Sequence, residues 1–182
     1  MQEIKMKGHK IILNDFLNLL KKENISNILD AGSGRTSLSI IANLFPNTHI
    51  DAVVYPGDIR KINSIKEITD YNKNISVIEK DICRDTVFKA YDIIIAHLLL
   101  GEAAKFENTF EDLLEKVIKM EYKYLIIIDY LEDPDVNEND IMKMCEKYDL
   151  TVVYKSFFTN QEPQVWEDFT GVHNFGYLIK GL

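Results

Sequence analysis

The residues best suited to chemistry lie in residues 27–41, where the chain reads NILDAGSGRTSLSII. A short apolar run ends in a carboxylate, Asp30, and a turn with two glycines, Gly32 and Gly34, follows it. Because glycine has no Cβ, the backbone can bend sharply there and a ligand can lie against it. A strand, a glycine turn and a helix in this order predict a nucleotide site that is ready to bind an anion.

A helical pattern follows the turn, with its apolar residues at Leu38, Ile41, Ala42 and Phe45. Thr36 and Ser37 open this helix, where the free N–H groups of the first turn point toward such a ligand. Two other glycine motifs fit less well. A nicotinamide-binding turn requires a third glycine where Ser37 stands, and a P-loop requires a Gly-Lys pair that does not follow here.

The segment Leu29-Asp30-Ala31-Gly32-Ser33-Gly34 resembles motif I of the class I S-adenosylmethionine (SAM)-dependent methyltransferases, which reads hydrophobic-Asp/Glu-x-Gly-x-Gly. The resemblance implies SAM as the cofactor, and it implies that this turn binds its methionine end. The implied binding residues of the turn are Asp30, Ala31, Gly32, Ser33, Gly34 and Thr36. Asp30 would offset the α-ammonium of SAM directly or through water, or it would hold the N–H groups of the turn.

The resemblance also assigns roles to the tips of the second and third strands. The family places an acid for the ribose at the end of strand two, but Tyr55 stands there and Asp58 comes three residues later. Either Asp58 reaches back to the ribose, or Tyr55 and backbone groups replace the acid. Asp58 as a helix N-cap is an equally good interpretation. Asp81 would accept from the adenine amino group, and Ile82 would pack on the ring; the alternative is that Asp81 is a solvated loop acid.

His97 follows the fourth strand, where the chain reads Ala96-His97-Leu98-Leu99-Leu100. Adenine and N6 methyltransferases carry Asn/Asp-Pro-Pro-Tyr there, so base methylation is not expected. With a reference pKa of about 6.5, His97 is a candidate general base as well as a cofactor contact. The alternative is a histidine that lines the pocket or bonds backbone, with Glu102 beyond it to orient it or cap the helix. His9 and His49 are interpreted as structural, whereas His173 lies beside a long connection where substrate elements are often inserted.

Seven strands and five helices are predicted to position these residues. The strands are expected at residues 27–31, 49–55, 75–79, 91–97, 122–129, 150–158 and 174–180. Helices are expected at 9–23, 36–45, 102–120 and 137–148, and one begins at Asp58 with Ile59, Ile62, Ile65 and Ile68 on one face. The N-terminal helix is expected to cover the sheet edge, and the family resemblance allows it to cover the cofactor pocket as well. The helix at 102–120 is expected to bury Phe106, Phe110, Leu113, Leu114 and Val117.

The alternation of strands and helices predicts an α/β doubly wound fold with helices on both faces of the sheet. Continuous apolar strands indicate a mostly parallel sheet, and the two successive strands at the end indicate an antiparallel pair. The resemblance implies a seven-stranded sheet in the order 3-2-1-4-5-7-6 with the last strand antiparallel. No linker divides the chain, so residues 1–182 are expected to form one Rossmann-like domain.

Composition limits the function classes. The chain has 182 residues, 46% apolar and 27% charged, with a net charge of −8. A free-standing nucleic-acid binder normally needs a basic face, so nucleic acid is an unlikely partner. Cys83 and Cys145 make no metal-type spacing and suit a reducing compartment. No metal site, signal peptide or membrane span is expected, and a cytoplasmic protein is predicted.

Three functions follow from these observations. The first is a SAM-dependent methyltransferase acting on a small molecule or an exposed protein side chain. Methyl transfer is mostly alignment of reacting atoms, so the lack of a catalytic triad does not count against it. The alternative is a SAM- or nucleoside-binding module without transferase activity. A nicotinamide-dependent oxidoreductase is disfavoured by Asp30 and Ser37.

Overall fold

Long apolar runs, such as IIIA at residues 93–96 and LIII at residues 125–128, form the centre of a seven-stranded sheet. The computed structural model describes residues 8–82, 84, 89–104, 109–131, 133, 135–159 and 173–181. Its strands are β1 Asn27–Ala31, β2 His49–Val54, β3 Ile75–Glu79, β4 Tyr91–His97, β5 Tyr122–Tyr130, β6 Thr151–Thr159 and β7 His173–Lys180. Its helices are α1 Gly8–Leu20, α2 Arg35–Leu44, α3 Ile59–Tyr71, α4 Leu100–Ala104, α5 Phe110–Ile118 and α6 Glu138–Lys147.

The strand order is β3-β2-β1-β4-β5-β7-β6, which confirms the predicted order. Strands β1 to β5 pair in parallel, whereas β7 runs antiparallel to both β5 and β6. The parallel strands bring their carboxyl ends to one edge of the sheet. The order reverses between β1 and β4, and ligands of such sheets bind in the crevice at that switch point.

Each face of the sheet carries its own apolar core. Alternate residues of β4 point to opposite faces, so Ile93 and Ile95 join one core while Ile94 and Ala96 join the other. Helices α1, α2 and α3 cover the first face, and α4, α5 and α6 cover the second. Cys145 is buried in the second core, and Cys83 lies outside the described residues. The predicted coverage of both faces is confirmed.

Helix α1 packs on β5, β7 and the edge strand β6, so it covers this end of the sheet from one face. It also ends at Leu20, earlier than predicted. The apolar pattern stops at Leu20, and residues 21–24 are exposed and polar, so no buried face remains to continue the helix.

The single helix predicted at 102–120 is wrong. Helix α4 ends at Ala104, and α5 starts anew after Thr109, whose hydroxyl accepts from the backbone N–H of Asp112 at 3.1 Å. The Asp112 carboxylate accepts in return from Thr109, so a capping box fixes this helix start. Phe106 lies outside the described residues.

Ile59 was predicted to lie on the same face of α3 as Ile62, Ile65 and Ile68, but its side chain is 68% exposed. Only the other three isoleucines pack into the core. The connection expected to hold substrate elements falls mostly on residues 160–172, outside the described residues. No helix in the described part of the chain has the length and apolar character needed to cross a membrane.

Candidate cofactor site

The turn between β1 and α2 has the backbone that its glycines predict. Gly32 has a φ of +76°, a left-handed conformation that favours glycine. Gly34 is extended and forms the N-cap of α2, where it supplies no side-chain cap. The Ser33 backbone N–H donates to the Val53 carbonyl at 2.6 Å, which ties the turn to strand β2. The turn is therefore anchored at the carboxyl end of β1.

Asp30 lies beneath this turn and is completely buried. Its Oδ2 accepts hydrogen bonds from the hydroxyls of Ser33 and Ser37, the latter at 2.8 Å. No donor in the described part of the chain reaches its other oxygen, Oδ1. Burial raises the pKa of Asp30 to about 6, although the two hydroxyls and the Lys61 charge lower it. The acid therefore bonds the hydroxyls of the turn, and one buried oxygen is left with the capacity to accept from a cation.

Lys61 reaches the same turn from the first turn of α3, and sequence reasoning missed it. A Cβ at Gly34 would lie 3.9 Å from Lys61 Cε, an ordinary contact distance. The Lys61 charge lowers the pKa of both Asp30 and His97. The available signal was its spacing, because Lys61 follows the N-cap Asp58 by three residues and so lies on the same turn.

The loop after β4 covers the other side of the turn. A Cβ at Gly32 would come within 2.5 Å of Leu99 Cδ1, so the Leu99 side chain packs directly on this glycine. The preceding Leu98 has a φ of +54°, and its N–H donates to the Ile128 carbonyl at 2.8 Å. A left-handed leucine stores backbone strain, and such strain often marks functional loops.

The tips of β2 and β3 hold the residues expected at the ribose and the adenine. Tyr55 is 61% exposed. Asp58 caps α3, because its Oδ1 accepts from the Lys61 backbone N–H at 2.9 Å. At the tip of β3, Asp81 is half-buried and lies 3.5 Å from the Arg84 Nε, and Ile82 is buried in the core. The geometry therefore gives Asp58 a cap role and brings Asp81 and Ile82 to the edge where adenine was expected.

His97 ends β4 and is buried, with 8% of its surface exposed. Its Nε2 lies 2.9 Å from Nδ1 of His9, which is itself 6% exposed, and the ring centroids are 4.9 Å apart. Burial, followed by the charges of His9, Lys10 and Lys61, lowers the pKa of His97 to about 3. The expectation of a near-neutral pKa is therefore wrong, because it assumed a ring in water.

The histidine pair has one further consequence. When both rings are neutral, a single proton lies between the two inner nitrogens, so one ring donates and the other accepts. If His97 Nε2–H donates, its Nδ1 keeps a lone pair and His9 carries its proton on Nε2. If His9 Nδ1–H donates, His97 carries its proton on Nδ1 and His9 Nε2 keeps the lone pair. Neutral rings therefore share one tautomer, and His9, interpreted as structural from the sequence, directly contacts the candidate site residue His97.

Strand β5 supplies the wall beside the pair. The Tyr130 ring stands edge-on to His9 at 6.3 Å, and burial, Asp129 and Glu102 raise its pKa. Asp129 is buried and accepts from the Gly101 N–H at 2.9 Å, which anchors the start of α4. Glu102 is exposed. His49 lies at the opposite end of the sheet, where its Nε2 is 2.9 Å from Asp51 Oδ1.

The described residues contain no group of three histidine, cysteine or acidic side chains that could hold a metal ion. What they bring together is an acid beneath a glycine turn, a lysine above it, and a buried histidine pair with a tyrosine beside the fourth and fifth strands. Such a crevice can bind a zwitterionic ligand at one end and shield a reacting group from water at the other.

Comparisons with known proteins agree on the architecture. No protein-family model matches the chain, and no curated protein matches it. Among solved structures, the N-methyltransferase NodS from Bradyrhizobium japonicum, in complex with S-adenosyl-L-homocysteine, is 14% identical with a TM-score of 0.72. The match covers 98% of this chain and 90% of that one.

Two further structures are similar. Magnesium protoporphyrin IX methyltransferase from Synechocystis, with bound SAM, is 14% identical with a TM-score of 0.71, over 96% of this chain and 80% of that one. A 1,6-didemethyltoxoflavin-N1-methyltransferase from Burkholderia thailandensis is 11% identical with a TM-score of 0.63, over 96% of this chain and 78% of that one. It was crystallised with 1,6-didemethyltoxoflavin and S-adenosylhomocysteine. The chain therefore has the fold of the class I SAM-dependent methyltransferases.

Proposed function

We propose that this chain is a SAM-dependent methyltransferase, folded as one domain, whose acceptor is a small molecule or a protein side chain. The observation that carries the proposal is the buried Asp30 beneath the β1–α2 turn. A fully buried carboxylate with one oxygen lacking a donor is costly unless a ligand supplies the missing partner. The α-ammonium of SAM is such a partner, and the fold shared with the methyltransferases above supports this choice.

The residues of the crevice suit the three parts of SAM. Asp30 would bind the ammonium, and the turn formed by Ala31, Gly32, Ser33, Gly34 and Thr36 would hold the methionine end. Tyr55 or Asp58 would serve the ribose, although the cap bond of Asp58 favours Tyr55 and backbone groups. Asp81 and Ile82 would serve the adenine, as an acceptor and as an apolar surface. His97 would lie beside the cofactor.

The chemistry needed from the protein is modest. Bound SAM supplies a methyl group that its sulfonium already activates. The chain's own residues orient the acceptor and keep water out, and the buried His9, His97 and Tyr130 suit that task. An acceptor that loses a proton would give it to the ring nitrogen that keeps a lone pair, either His97 Nδ1 or His9 Nε2. With a pKa of about 3, His97 is a weak base and suits an acceptor that is already nucleophilic.

Within this proposal, we favour a small-molecule acceptor. Two of the similar structures are named for small molecules, a magnesium protoporphyrin and a didemethyltoxoflavin. The histidine pair is buried, so a group that reaches it must be small enough to pass the side chains that cover it. A small planar molecule meets this condition more readily than a side chain of a folded protein.

A SAM- or nucleoside-binding module without transferase activity is the second candidate. Leu99 packs on Gly32, so the described conformation leaves no space against that glycine. Exposed Tyr55 replaces the family's ribose acid, and the low pKa of His97 weakens it as a base. The first two departures concern binding of the cofactor and the third concerns the chemistry, so the alternative applies to the same site.

A thermal-shift panel of SAM, S-adenosylhomocysteine and NAD tests the binding step. A ligand at 100 times its dissociation constant stabilises the fold by about 2.7 kcal/mol, so SAM and S-adenosylhomocysteine should raise Tm and NAD should not. Gly34→Val should abolish the shift, because the backbone there is extended and the new side chain would fill ligand space. Ser39→Val, on the exposed face of α2, is the matched control. Stabilisation by NAD alone would contradict the proposal.

Release of S-adenosylhomocysteine in a metabolite and peptide screen tests the transfer step. Turnover with a small molecule would establish the methyltransferase and its acceptor class. A chain that binds SAM tightly but releases no S-adenosylhomocysteine with any acceptor in the screen would favour the binding module.

A further inference from the structure

Lys61 occupies a fixed position above the β1–α2 turn. Its backbone N–H is held by the Asp58 cap at 2.9 Å, and its carbonyl accepts from the Ser64 hydroxyl at 2.7 Å. Its side chain then runs across the turn, with Cε at contact distance from the Cβ position of Gly34. The side chain is half-buried, so its charge is partly removed from water. Lys61 makes no ion pair with any residue that the structure describes.

The charge of Lys61 acts on both sides of the crevice. It lowers the pKa of Asp30 beneath the turn and the pKa of His97 at the tip of β4. Lys10, on α1, contributes to the lowered pKa of His97 but not to the pKa of Asp30. Arg35, the other cation near the start of α2, is paired with Glu67 at 2.9 Å on the outer surface. Lys61 is therefore the cation that the turn and the β4 tip share.

Besides its sulfonium, the ligand proposed above has two charges at its amino-acid end. Its ammonium suits the unpartnered Asp30 Oδ1, but its carboxylate would then lie close to a buried acid. A carboxylate in that position needs a cation of the protein, because like charges repel strongly where water is excluded. A lysine placed opposite Asp30 across the same turn supplies that partner through a charge-assisted hydrogen bond.

We propose that Lys61 binds the carboxylate of the cofactor's methionine moiety and makes the site selective for cofactors that carry it. The inference rests on the proposed function, since it concerns the same site. Asp30 then binds the ammonium of the cofactor, and Lys61 binds its carboxylate from the other side of the turn. Aminopropyl analogues that lack the carboxylate are rejected, because they would leave Lys61 facing a second cation.

The test is calorimetric binding of SAM, decarboxylated SAM and 5′-methylthioadenosine to the wild type and to Lys61→Met. SAM and decarboxylated SAM differ only in the carboxylate, and methylthioadenosine lacks the amino acid altogether. We expect Lys61→Met to weaken SAM roughly ten- to hundredfold, as for a lost hydrogen bond to a charged group. Decarboxylated SAM should bind as well or better, because a repelling charge is gone, and methylthioadenosine should not change.

Three variants complete the experiment. Lys61→Arg should weaken SAM less than Lys61→Met does, because the charge is retained although the shape of the group changes. Lys66→Met, exposed on the same helix, should bind all three ligands as the wild type does. Lys10→Met tests the other lysine near His97. If Lys10→Met reproduces the loss of selectivity while Lys61→Met does not, the proposal is overturned.

The remaining outcomes are equally decisive. If Lys61→Met binds SAM normally, or weakens SAM and methylthioadenosine alike, Lys61 does not read the carboxylate. If the wild type binds none of the three ligands, the proposed function itself fails, and this assignment fails with it. Selective weakening of SAM with an unchanged Tm supports the assignment and separates it from a structural effect.

Discussion

At the scale of single residues, the charge of Asp30 is expected to lower the stability of the fold and to favour ligand binding. Its carboxyl group is fully buried, and only one of its oxygens accepts from the described residues. Because its pKa is raised from 3.8 to about 6, the folded state binds its proton more tightly than the unfolded state does. The stability contributed by the protonated acid is fully present below about pH 4 and is lost as pH rises through 6. The free energy of unfolding falls by roughly 3 kcal/mol over this range.

We therefore predict that Asp30→Asn has opposite effects on stability and on binding. At pH 8 the variant should be more stable than the wild type by about 1–3 kcal/mol, because a buried charge is removed while an oxygen remains for Ser33 and Ser37. At pH 4 the two proteins should have nearly the same stability. SAM affinity at pH 8 should fall at least tenfold. Urea unfolding at both pH values and calorimetry measure these quantities, and a variant that is less stable at pH 8 would contradict the assignment.

The His9–His97 pair also makes a residue-scale prediction. Because the pKa of His97 is lowered to about 3, its ring should stay neutral at pH 5, where a solvated histidine is mostly charged. At a pH where both rings are neutral, nitrogen NMR should find the same tautomer on both, as their shared proton requires. In His9→Asn the tautomer constraint is lost, but burial should still keep the pKa of His97 low. A ring that titrates near 6.5 would show that His97 faces water.

Sequence reasoning could name only part of this site. Asp30, Gly32 and Gly34 lie within five consecutive residues, so their spacing alone indicated a turn with an acid beneath it. His9 and His97 are 88 residues apart, and only the packing of α1 on the sheet joins them. The spacing from Asp58 places Lys61 on the first turn of α3, but its approach to the β1–α2 turn depends on the packing of α3 beside α2. The pKa of His97 depends on burial, which the sequence does not give for a single polar residue.

At the scale of elements, the strands were predicted more accurately than the helices. The continuous apolar runs of β4 and β5 are typical of parallel strands that are buried on both faces, and the structure shows this burial. The helix expected at 102–120 failed because apolar spacing continues across the break. The break is set by the Thr109–Asp112 capping box, a local hydrogen-bonding feature within an otherwise helical pattern.

Helix α3 gives a prediction that separates its cap from a ligand role. Asp58→Ala should lower the free energy of unfolding by about 1 kcal/mol, because the Lys61 N–H loses its acceptor. Asp58→Ser keeps a capping oxygen but removes the carboxylate, so it should retain both native stability and native SAM affinity. Urea unfolding and calorimetry on both variants decide the matter. A serine variant with native stability but weaker SAM binding would make Asp58 a ribose ligand after all.

At the scale of the whole molecule, the site depends on how α1 docks. Ile12, Leu13, Phe16 and Leu17 are buried against the sheet, and this docking carries His9 to His97. The helix can approach β7 closely because Gly176 presents no side chain to it. A Cβ at Gly176 would lie 2.4 Å from Ile12 Cγ2 and 3.0 Å from Phe16 Cε2. The absence of a side chain at Gly176 thus allows the close packing of α1 on the sheet.

We predict that Gly176→Ala destabilises the protein by about 1–3 kcal/mol and loosens the histidine pair. The new methyl group would overpack against two buried side chains, so α1 must shift away from β7. Urea unfolding measures the loss, and nitrogen NMR of His9 and His97 should show that the rings no longer share one tautomer. Ser156→Ala, on β6 directly opposite Gly176, adds no volume and should leave the NMR signals of both rings unchanged. A destabilised Gly176→Ala variant with an intact histidine pair would contradict the predicted shift of α1. In that case Ile12 and Phe16 move locally, and the contact of His9 with His97 holds the N-terminal turn of α1 in place.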